Sequence, residues 1–221
     1  MKEKETKQII DFDELINSHL TKKSYPKKIG RYYPSGIGDC LRKTWFTYLI
    51  PKEFDKDLLK IFQAGNMLHD FITDVIKSEK NSDVQLLEHE MPVKVERKDY
   101  TIAGRIDNLL SLKVDEKPIL IEVKSSRLLP KYPKSEHIMQ LQFYMYATKV
   151  WDGVLVYIQR DNLQTKTFHI RCRKQRAKQI LERFDKLHYF LTNNKFPRPE
   201  YKLRKDKRIL CNYCPYKNKC E

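Results

Sequence analysis

The sequence predicts an α/β fold in which helices flank a mixed central β-sheet. Two strand-like segments, 86–95 and 100–112, are joined by the polar turn 96–99 and predict a β-hairpin. A short apolar run at 119–124 follows a second turn at 114–117 and predicts a buried strand beside that hairpin. The hairpin and this strand together indicate a mixed sheet.

Helical patterns occur before and after these strands. Residues 1–30 form a Lys-rich extension that predicts a partly helical arm and a basic loop. Residues 58–76 carry apolar side chains at helical spacing. The last predicted helix is expected to pack across the sheet through its apolar face. The elements predicted after the buried strand are a helix at 135–150, strands at 153–159 and 165–172, and a helix at 174–191.

The charge of the chain favours a polyanionic partner. In 221 residues there are 44 Lys and Arg against 29 Asp and Glu, a formal net charge of +15. Nucleic acid is therefore the first expectation, and a merely Lys-rich surface is the alternative. No apolar run approaches the roughly 20 residues of a membrane span, and residues 1–7 lack the apolar segment of a signal peptide. We expect a cytoplasmic protein without membrane partners, whose five cysteines are ligands or thiols rather than disulfides.

The predicted buried strand carries two charges on one face. Because side chains alternate along a strand, Glu122 and Lys124 point one way while Ile121 and Val123 point into a core. Asp107 lies on the preceding strand. Two carboxylates with an amine beside them suit phosphodiester hydrolysis, since carboxylates hold Mg²⁺ or Mn²⁺ and the amine offsets phosphate charge. The alternative is an ion pair on the surface of an edge strand.

The C-terminal segment predicts a metal centre. Cys211, Cys214 and Cys220 place three thiols within ten residues, and this spacing lets backbone turns aim several sulphurs at one point. The spacing leaves open whether zinc or an iron–sulphur cluster is bound. Cys172 has no partner at such a spacing and is interpreted as a free thiol.

Six residues occur along the chain in the order His69, Asp107, Glu122, Lys124, Gln140 and Tyr144. This order resembles the PD-(D/E)xK nucleases of the RecB type. Adding Cys40, far upstream of the other cysteines, makes the pattern similar to the iron–sulphur branch, most closely the CRISPR-associated exonucleases known as the fourth Cas protein. The resemblance covers about residues 31–221 and implies a restriction-endonuclease-like core.

The resemblance implies a divalent metal site. In this reading, His69, Asp107, Glu122 and the backbone carbonyl of Val123 surround a Mn²⁺ or Mg²⁺ ion. Lys124 orients the attacking water and stabilises the charge that develops on phosphorus. A histidine nitrogen among the ligands would favour Mn²⁺ somewhat over Mg²⁺.

The resemblance also implies roles for two side chains on the helix 135–150. Gln140 reaches the catalytic edge, and Tyr144 supports the substrate or the placement of the lysine. Both lie on one face because they are one helical turn apart. Gln142 and Tyr146 have the same spacing, which leaves the register of this assignment open.

The resemblance implies that Cys40 joins the C-terminal cysteines as a ligand of a [4Fe–4S] cluster, with zinc as the alternative. Such a centre would tie the two ends of the core together and would be structural. The chain then divides into a basic N-terminal extension at 1–30, a nuclease core at 31–200, and a segment containing Cys211, Cys214 and Cys220 at 201–221.

The function implied by the resemblance is metal-dependent hydrolysis of single-stranded DNA or overhangs. A 5′-to-3′ exonuclease that processes prespacer DNA in CRISPR adaptation is expected, with the CRISPR integrase complex as a partner. The alternatives are a related RecB-like nuclease of repair or viral recombination, and a non-catalytic DNA-binding subunit. The residues expected to contact DNA are Arg42, Lys131, Lys134, Lys205 and Arg208.

Overall fold

The fold is described from a computed structural model of the chain. Residues 1–9 and 201–210 lie outside the described residues, and so do the predicted DNA-binding residues Lys205 and Arg208. The residues that the structure describes are 10–51, 53–114, 116–200, 211–212 and 214–220.

The predicted helices and strands are present, with ends within a few residues of the expected positions. A two-residue strand near the N-terminus was not predicted, since so short a segment carries no alternation pattern. The helices are α1 (Phe12–Leu20), α2 (Leu41–Leu49), α3 (Lys56–Lys77), α4 (Ser135–Thr148), α5 (Lys174–Thr192) and a short C-terminal helix (Lys217–Cys220). The strands are β1 (Arg31–Tyr32), β2 (Val84–Glu96), β3 (Thr101–Leu112), β4 (Pro118–Ser126), β5 (Asp152–Gln159) and β6 (Thr165–Arg171).

The strands form one mixed sheet, which confirms the predicted fold class. β2 and β3 are an antiparallel hairpin, β4 is antiparallel to β3, and β6 is antiparallel to β5. β4 and β5 are parallel, since α4 lies between them in the chain and returns it to the same end of the sheet. β1 pairs in parallel with the start of β3.

One edge of β3 is shared by two different strands. Its first residues, Thr101 and Ile102, pair with β1, whereas Asn108 to Ser111 pair with β4. The pairing between β3 and β4 therefore ends at Asn108, the residue that follows Asp107 in β3. The two strands diverge at that point, and the divergence opens the sheet where the predicted acidic residue stands.

The sheet has a helix layer on each face. On the face covered by α4, Leu120 and Leu155 are fully buried with Leu141. On the face covered by α3, Ile121 and Val123 are buried with the apolar side chains of that helix. The predicted alternation of β4 is thereby confirmed, and the strand is buried on both faces.

The position of α5 corrects a prediction. This helix was expected to pack across the sheet, but it packs mainly against α4 and α2. The physical reason is that α4 already covers β4 and β5 on this face, so α5 lies beside α4 and reaches the sheet at Tyr32 of β1, which contacts Phe184 and His188. Its apolar face is buried there, through Ala177, Ile180, Phe184, Leu187 and Leu191.

No helix within the described ranges is both long enough and apolar enough to cross a membrane.

Candidate active site

Asp107 stands where β3 and β4 separate. Its Oδ2 accepts a hydrogen bond of 2.7 Å from the backbone N–H of Val123. This N–H lies just beyond the last β3–β4 pair, so the carboxylate replaces a strand partner that is no longer there. In an extended strand the N–H and C=O of one residue face the same edge, so the Val123 carbonyl faces Asp107 too.

His69 is brought to the same point by α3. Its Nδ1 lies 3.4 Å from Asp107 Oδ1, and both side chains are partly exposed. One turn earlier, Gly65 is buried where α3 crosses β4, and a Cβ at this position would lie 3.0 Å from Ser125 Oγ. Glycine therefore permits the close approach that places the histidine beside the acid.

Glu122 and Lys124 form a buried ion pair on the α4 face of β4. Lys124 Nζ donates to Glu122 Oε1 at 2.6 Å, and Glu122 is 1% exposed. Burial and the neighbouring charge of Asp107 raise the pKa of Glu122 to about 7, although Lys124 opposes the shift. Burial lowers the pKa of Lys124, but the charges of Glu122 and Asp107 outweigh it and the net shift is upward.

The structure decides between the two glutamines of α4. Lys124 Nζ donates to Gln140 Oε1 at 3.1 Å, so Gln140 is the glutamine that contacts Lys124 of β4. Gln142 instead joins two other elements: its Nε2 donates to the carbonyl of Arg171, and its Oε1 accepts from the N–H of Arg173. The register ambiguity in the sequence is resolved by these contacts.

Tyr144 is buried behind Gln140 and depends on a glycine in β3. Gln140 Nε2 and Tyr144 Oη are 3.5 Å apart. A Cβ on Gly104 would lie 2.7 Å from Tyr144 Oη and 2.8 Å from its ring carbon Cε1. Burial raises the pKa of the Tyr144 hydroxyl, and the charge of Glu122 adds to that shift. The ring therefore remains a neutral hydrogen-bonding group.

A polar network behind Asp107 was not predicted. Thr73 Oγ1 donates to Asn108 Oδ1 at 3.0 Å, and lies 3.1 Å from the His69 carbonyl. His89 Nδ1 lies 3.1 Å from the Asp107 carbonyl. These contacts tie α3, β2 and β3 together around the two predicted ligands. An asparagine within an apolar strand was the available signal, because a buried amide needs partners.

The chemistry of the donor set fits a hard divalent cation. Glu122 Oε2 is buried and has no hydrogen-bond partner among the described residues, so a carboxylate oxygen is left uncompensated. Oxygen ligands of this kind are those that Mg²⁺ and Mn²⁺ take. As the side chains stand, the described part of the chain contains no group of three or more His, Cys, Asp or Glu arranged to hold a metal.

The cysteines assigned to a cluster share one region. Cys40 is the N-cap residue of α2, whose Phe46 ring stacks on Tyr216 from the C-terminal segment. Burial raises the pKa of Cys211, and like charges on Cys40, Cys214 and Cys220 raise it further. All four sulphurs are therefore within electrostatic range, although the metal search over the described residues finds no ligand group.

Three predicted DNA-binding residues lie within the described chain. Arg42 donates to the carbonyls of Pro197 and Cys220, each at 2.7 Å, so its guanidinium joins α2 to the C-terminal segment. Lys131 and Lys134 are exposed in the loop between β4 and α4. DNA contact by these residues remains a prediction, and the contacts of Arg42 favour a structural part for that side chain.

The chain matches a protein family described as the PD-(D/E)XK nuclease superfamily over residues 38–221. It is 34% identical over 99 residues to a protein of Saccharolobus solfataricus described as CRISPR-associated exonuclease Cas4. That alignment covers 45% of this chain and 48% of the relative, so it spans about half of the relative's length.

Two solved structures share the fold. The crystal structure of SSO0001 matches with a TM-score of 0.61 at 24% identity, over 97% of this chain and 96% of the other. An alkaline exonuclease from Laribacter hongkongensis matches with a TM-score of 0.53 at 16% identity, over 82% and 95%. At these identities the likeness concerns the fold.

Proposed function

Because the chain belongs to the PD-(D/E)XK nuclease superfamily, we propose that it is a metal-dependent deoxyribonuclease acting on single-stranded DNA or overhangs as a 5′-to-3′ exonuclease. The observation that carries the proposal is the buried Glu122–Lys124 pair beside Asp107, with one Glu122 oxygen left unpartnered. A surface ion pair would not explain it, since Glu122 is enclosed and leaving one buried carboxylate oxygen without a partner is costly.

The residues that would hold Mn²⁺ or Mg²⁺ are Asp107, Glu122 and His69, together with the Val123 carbonyl. When bound, the cation supplies Lewis acidity at the phosphate. Asp107 is already held in place by the Val123 N–H, so the ligand requires little reorganisation. This preorganisation supports the metal assignment.

Lys124 and Gln140 are proposed to act on the phosphate. The ammonium of Lys124 is held by two oxygen acceptors, Glu122 Oε1 and Gln140 Oε1. Among the described residues its third proton has no acceptor, so this proton can meet charge that develops on a phosphate oxygen. Tyr144 supports Gln140 from behind, which keeps the lysine directed toward the substrate.

We further propose that Cys40, Cys211, Cys214 and Cys220 hold a [4Fe–4S] cluster, with zinc as the alternative occupant. The charges of Cys40, Cys214 and Cys220, which help to raise the pKa of Cys211, support a shared centre. Its place between α2 and the C-terminal segment favours a structural role, as thiolate ligation would fasten two distant parts of the chain.

The similarity to a protein described as a CRISPR-associated exonuclease supports a role in CRISPR adaptation. In that setting the substrate would be prespacer DNA and the partner the CRISPR integrase complex. The net charge of +15 suits binding to prespacer DNA, and to an integrase complex that carries DNA, because both expose phosphates.

The nuclease proposal is tested with 5′-labelled single-stranded DNA in Mn²⁺. Asp107→Ala and Lys124→Ala are expected to lose cleavage, since one removes a ligand and the other the charge beside the phosphate. Loss of one such charge-stabilising group slows chemistry about 100- to 1,000-fold. Asp161→Ala and Lys178→Ala, exposed residues of the same types, are the controls. Wild-type rates in both site variants would contradict the proposal.

A further inference from the structure

His137 stands beside the proposed catalytic lysine and has no role so far. It lies on α4 three residues before Gln140 and seven before Tyr144, a spacing that puts all three on one helical face. That face meets the α4 side of the sheet, where Lys124 donates to Gln140. The histidine is therefore at the N-terminal end of the row that lines the site.

Tyr157 connects His137 to the catalytic strand. In the parallel pairing of β4 and β5, Tyr157 is the register partner of Lys124, so both side chains face α4. Tyr157 is 1% exposed, and its hydroxyl lies 2.8 Å from His137 Nδ1. The same hydroxyl accepts a 3.0 Å hydrogen bond from the N–H of Lys134.

These contacts define which imidazole nitrogen carries the proton. The Tyr157 oxygen accepts a hydrogen bond from the Lys134 N–H. The hydroxyl proton of Tyr157 has no acceptor among the described residues other than His137 Nδ1. Nδ1 is thus the acceptor, and Nε2 carries the hydrogen. Burial lowers the pKa of His137 to about 3, and the charges of Lys124 and Lys134 add to this shift. The ring is a neutral donor at pH 7.

The donor edge of this imidazole is open. Within the described chain, His137 Nε2 makes no hydrogen bond. It is also not among the fully buried polar atoms without a partner, so the nitrogen is accessible to solvent. An imidazole nitrogen that keeps its hydrogen and has no partner is available to an incoming acceptor. This ring is fixed through Nδ1, its Nε2–H has no partner among the described residues, and the ring lies close enough to Lys124 for that charge to lower its pKa.

We propose that His137 is a further substrate-binding residue of the site, donating its Nε2–H to a phosphate oxygen of the bound strand beside Lys124. A phosphodiester oxygen is an acceptor without a proton, and its charge strengthens the hydrogen bond. A neutral donor adds this contact without a second positive charge next to the lysine. The inference rests on the proposed nuclease function and deepens it.

The test compares His137→Phe, which keeps a ring and loses the donor, with His137→Gln, which keeps an amide donor. His188→Phe is a matched control, because His188 Nδ1 is bound in the same way to the buried Tyr32 hydroxyl, on α5 instead of α4. Binding of single-stranded DNA is measured by fluorescence anisotropy with Ca²⁺ in place of Mn²⁺. Cleavage is measured in Mn²⁺.

His137→Phe is expected to raise Kd and KM about tenfold or more, the effect of one hydrogen bond to a charged acceptor. His137→Gln should recover much of this loss, and His188→Phe should leave both constants near wild type. If His137 were only structural, glutamine at this position would not restore Kd and KM in this way.

A second measurement identifies the acceptor. Oligonucleotides with one neutral methylphosphonate, moved along the strand, should include a position that weakens wild-type binding about tenfold and leaves His137→Phe binding unchanged. Equal losses in both proteins at every position would overturn the inference, and so would wild-type Kd and KM in His137→Phe. Wild-type protein that neither binds nor cuts DNA would instead overturn the nuclease proposal itself.

Discussion

The carboxylate of Asp107 holds the backbone of the neighbouring strand, with its Oδ2 2.7 Å from the Val123 nitrogen. The bond occurs where the β3–β4 ladder has ended, so one side chain both completes the strand and presents its other oxygen toward His69. The strand-completing contact and the proposed metal ligand are therefore combined in one residue. Substitutions can separate them.

Asp107→Asn should lose activity with little loss of stability. The amide oxygen can still accept from Val123, but a neutral group binds a divalent cation weakly. Asp107→Ala should lose activity and also leave that buried N–H without a partner, at a cost of about 1–3 kcal/mol. Urea unfolding and the nuclease assay measure the two effects. Equal stability of the two variants would contradict the strand-completing role.

Lys124→Met should destabilise the metal-free protein more at pH 8 than at pH 5. The folded pKa of Glu122 is raised to about 7, above the ordinary 4.5, and Lys124 limits that rise. Because a raised carboxylate pKa favours folding at low pH and opposes it as pH rises, losing the lysine should cost about 3 kcal/mol at pH 8. Unfolding in urea with EDTA at both pH values measures the difference.

The matched control for this change is Lys178→Met, an exposed lysine on α5, which should show no such pH dependence. Adding Glu122→Gln to Lys124→Met should remove the pH-dependent part, since no buried acid is left to ionise. A loss that is the same at pH 5 and pH 8 would count against the assigned ion pair.

Gly104→Ala should displace Tyr144 and weaken the support of Gln140. The new methyl would lie 2.7 Å from the tyrosine oxygen, and the ring has no free space because it is buried. Overpacking of this kind costs about 1–3 kcal/mol. Gly36→Ala is the control, since its methyl would have no neighbour nearer than 3.9 Å. Thermal unfolding and cleavage rates should fall in the first variant only.

Serine in place of Cys40 or Cys214 should remove bound iron and its absorption in the violet-blue, measured under anaerobic conditions. Each sulphur would be one of four ligands, so the cluster would be lost or incomplete. Cys172→Ser is the control, because this partly buried thiol packs against the core and is not assigned to the proposed centre. A colourless wild-type protein with bound zinc would replace the iron–sulphur assignment by its alternative.

Local patterns in the sequence were enough to predict the helices and strands and the face of β4 that carries its two charges. Alternation along β4 placed Glu122 and Lys124 on one face, because side-chain direction in a strand follows from position alone. Helical spacing on α3 placed His69 beside the apolar stripe of that helix, and helical spacing on α4 put Gln140 and Tyr144 on one face, for the same local reason.

Features that depend on distances between elements required the tertiary structure. The choice of Gln140 over Gln142 required knowing which one faces Lys124, since both have identical local spacing. The divergence of β3 and β4 at Asp107, and the Tyr157 hydroxyl that orients His137, arise from strand register. Register is set by packing across the whole sheet, so no short segment encodes it.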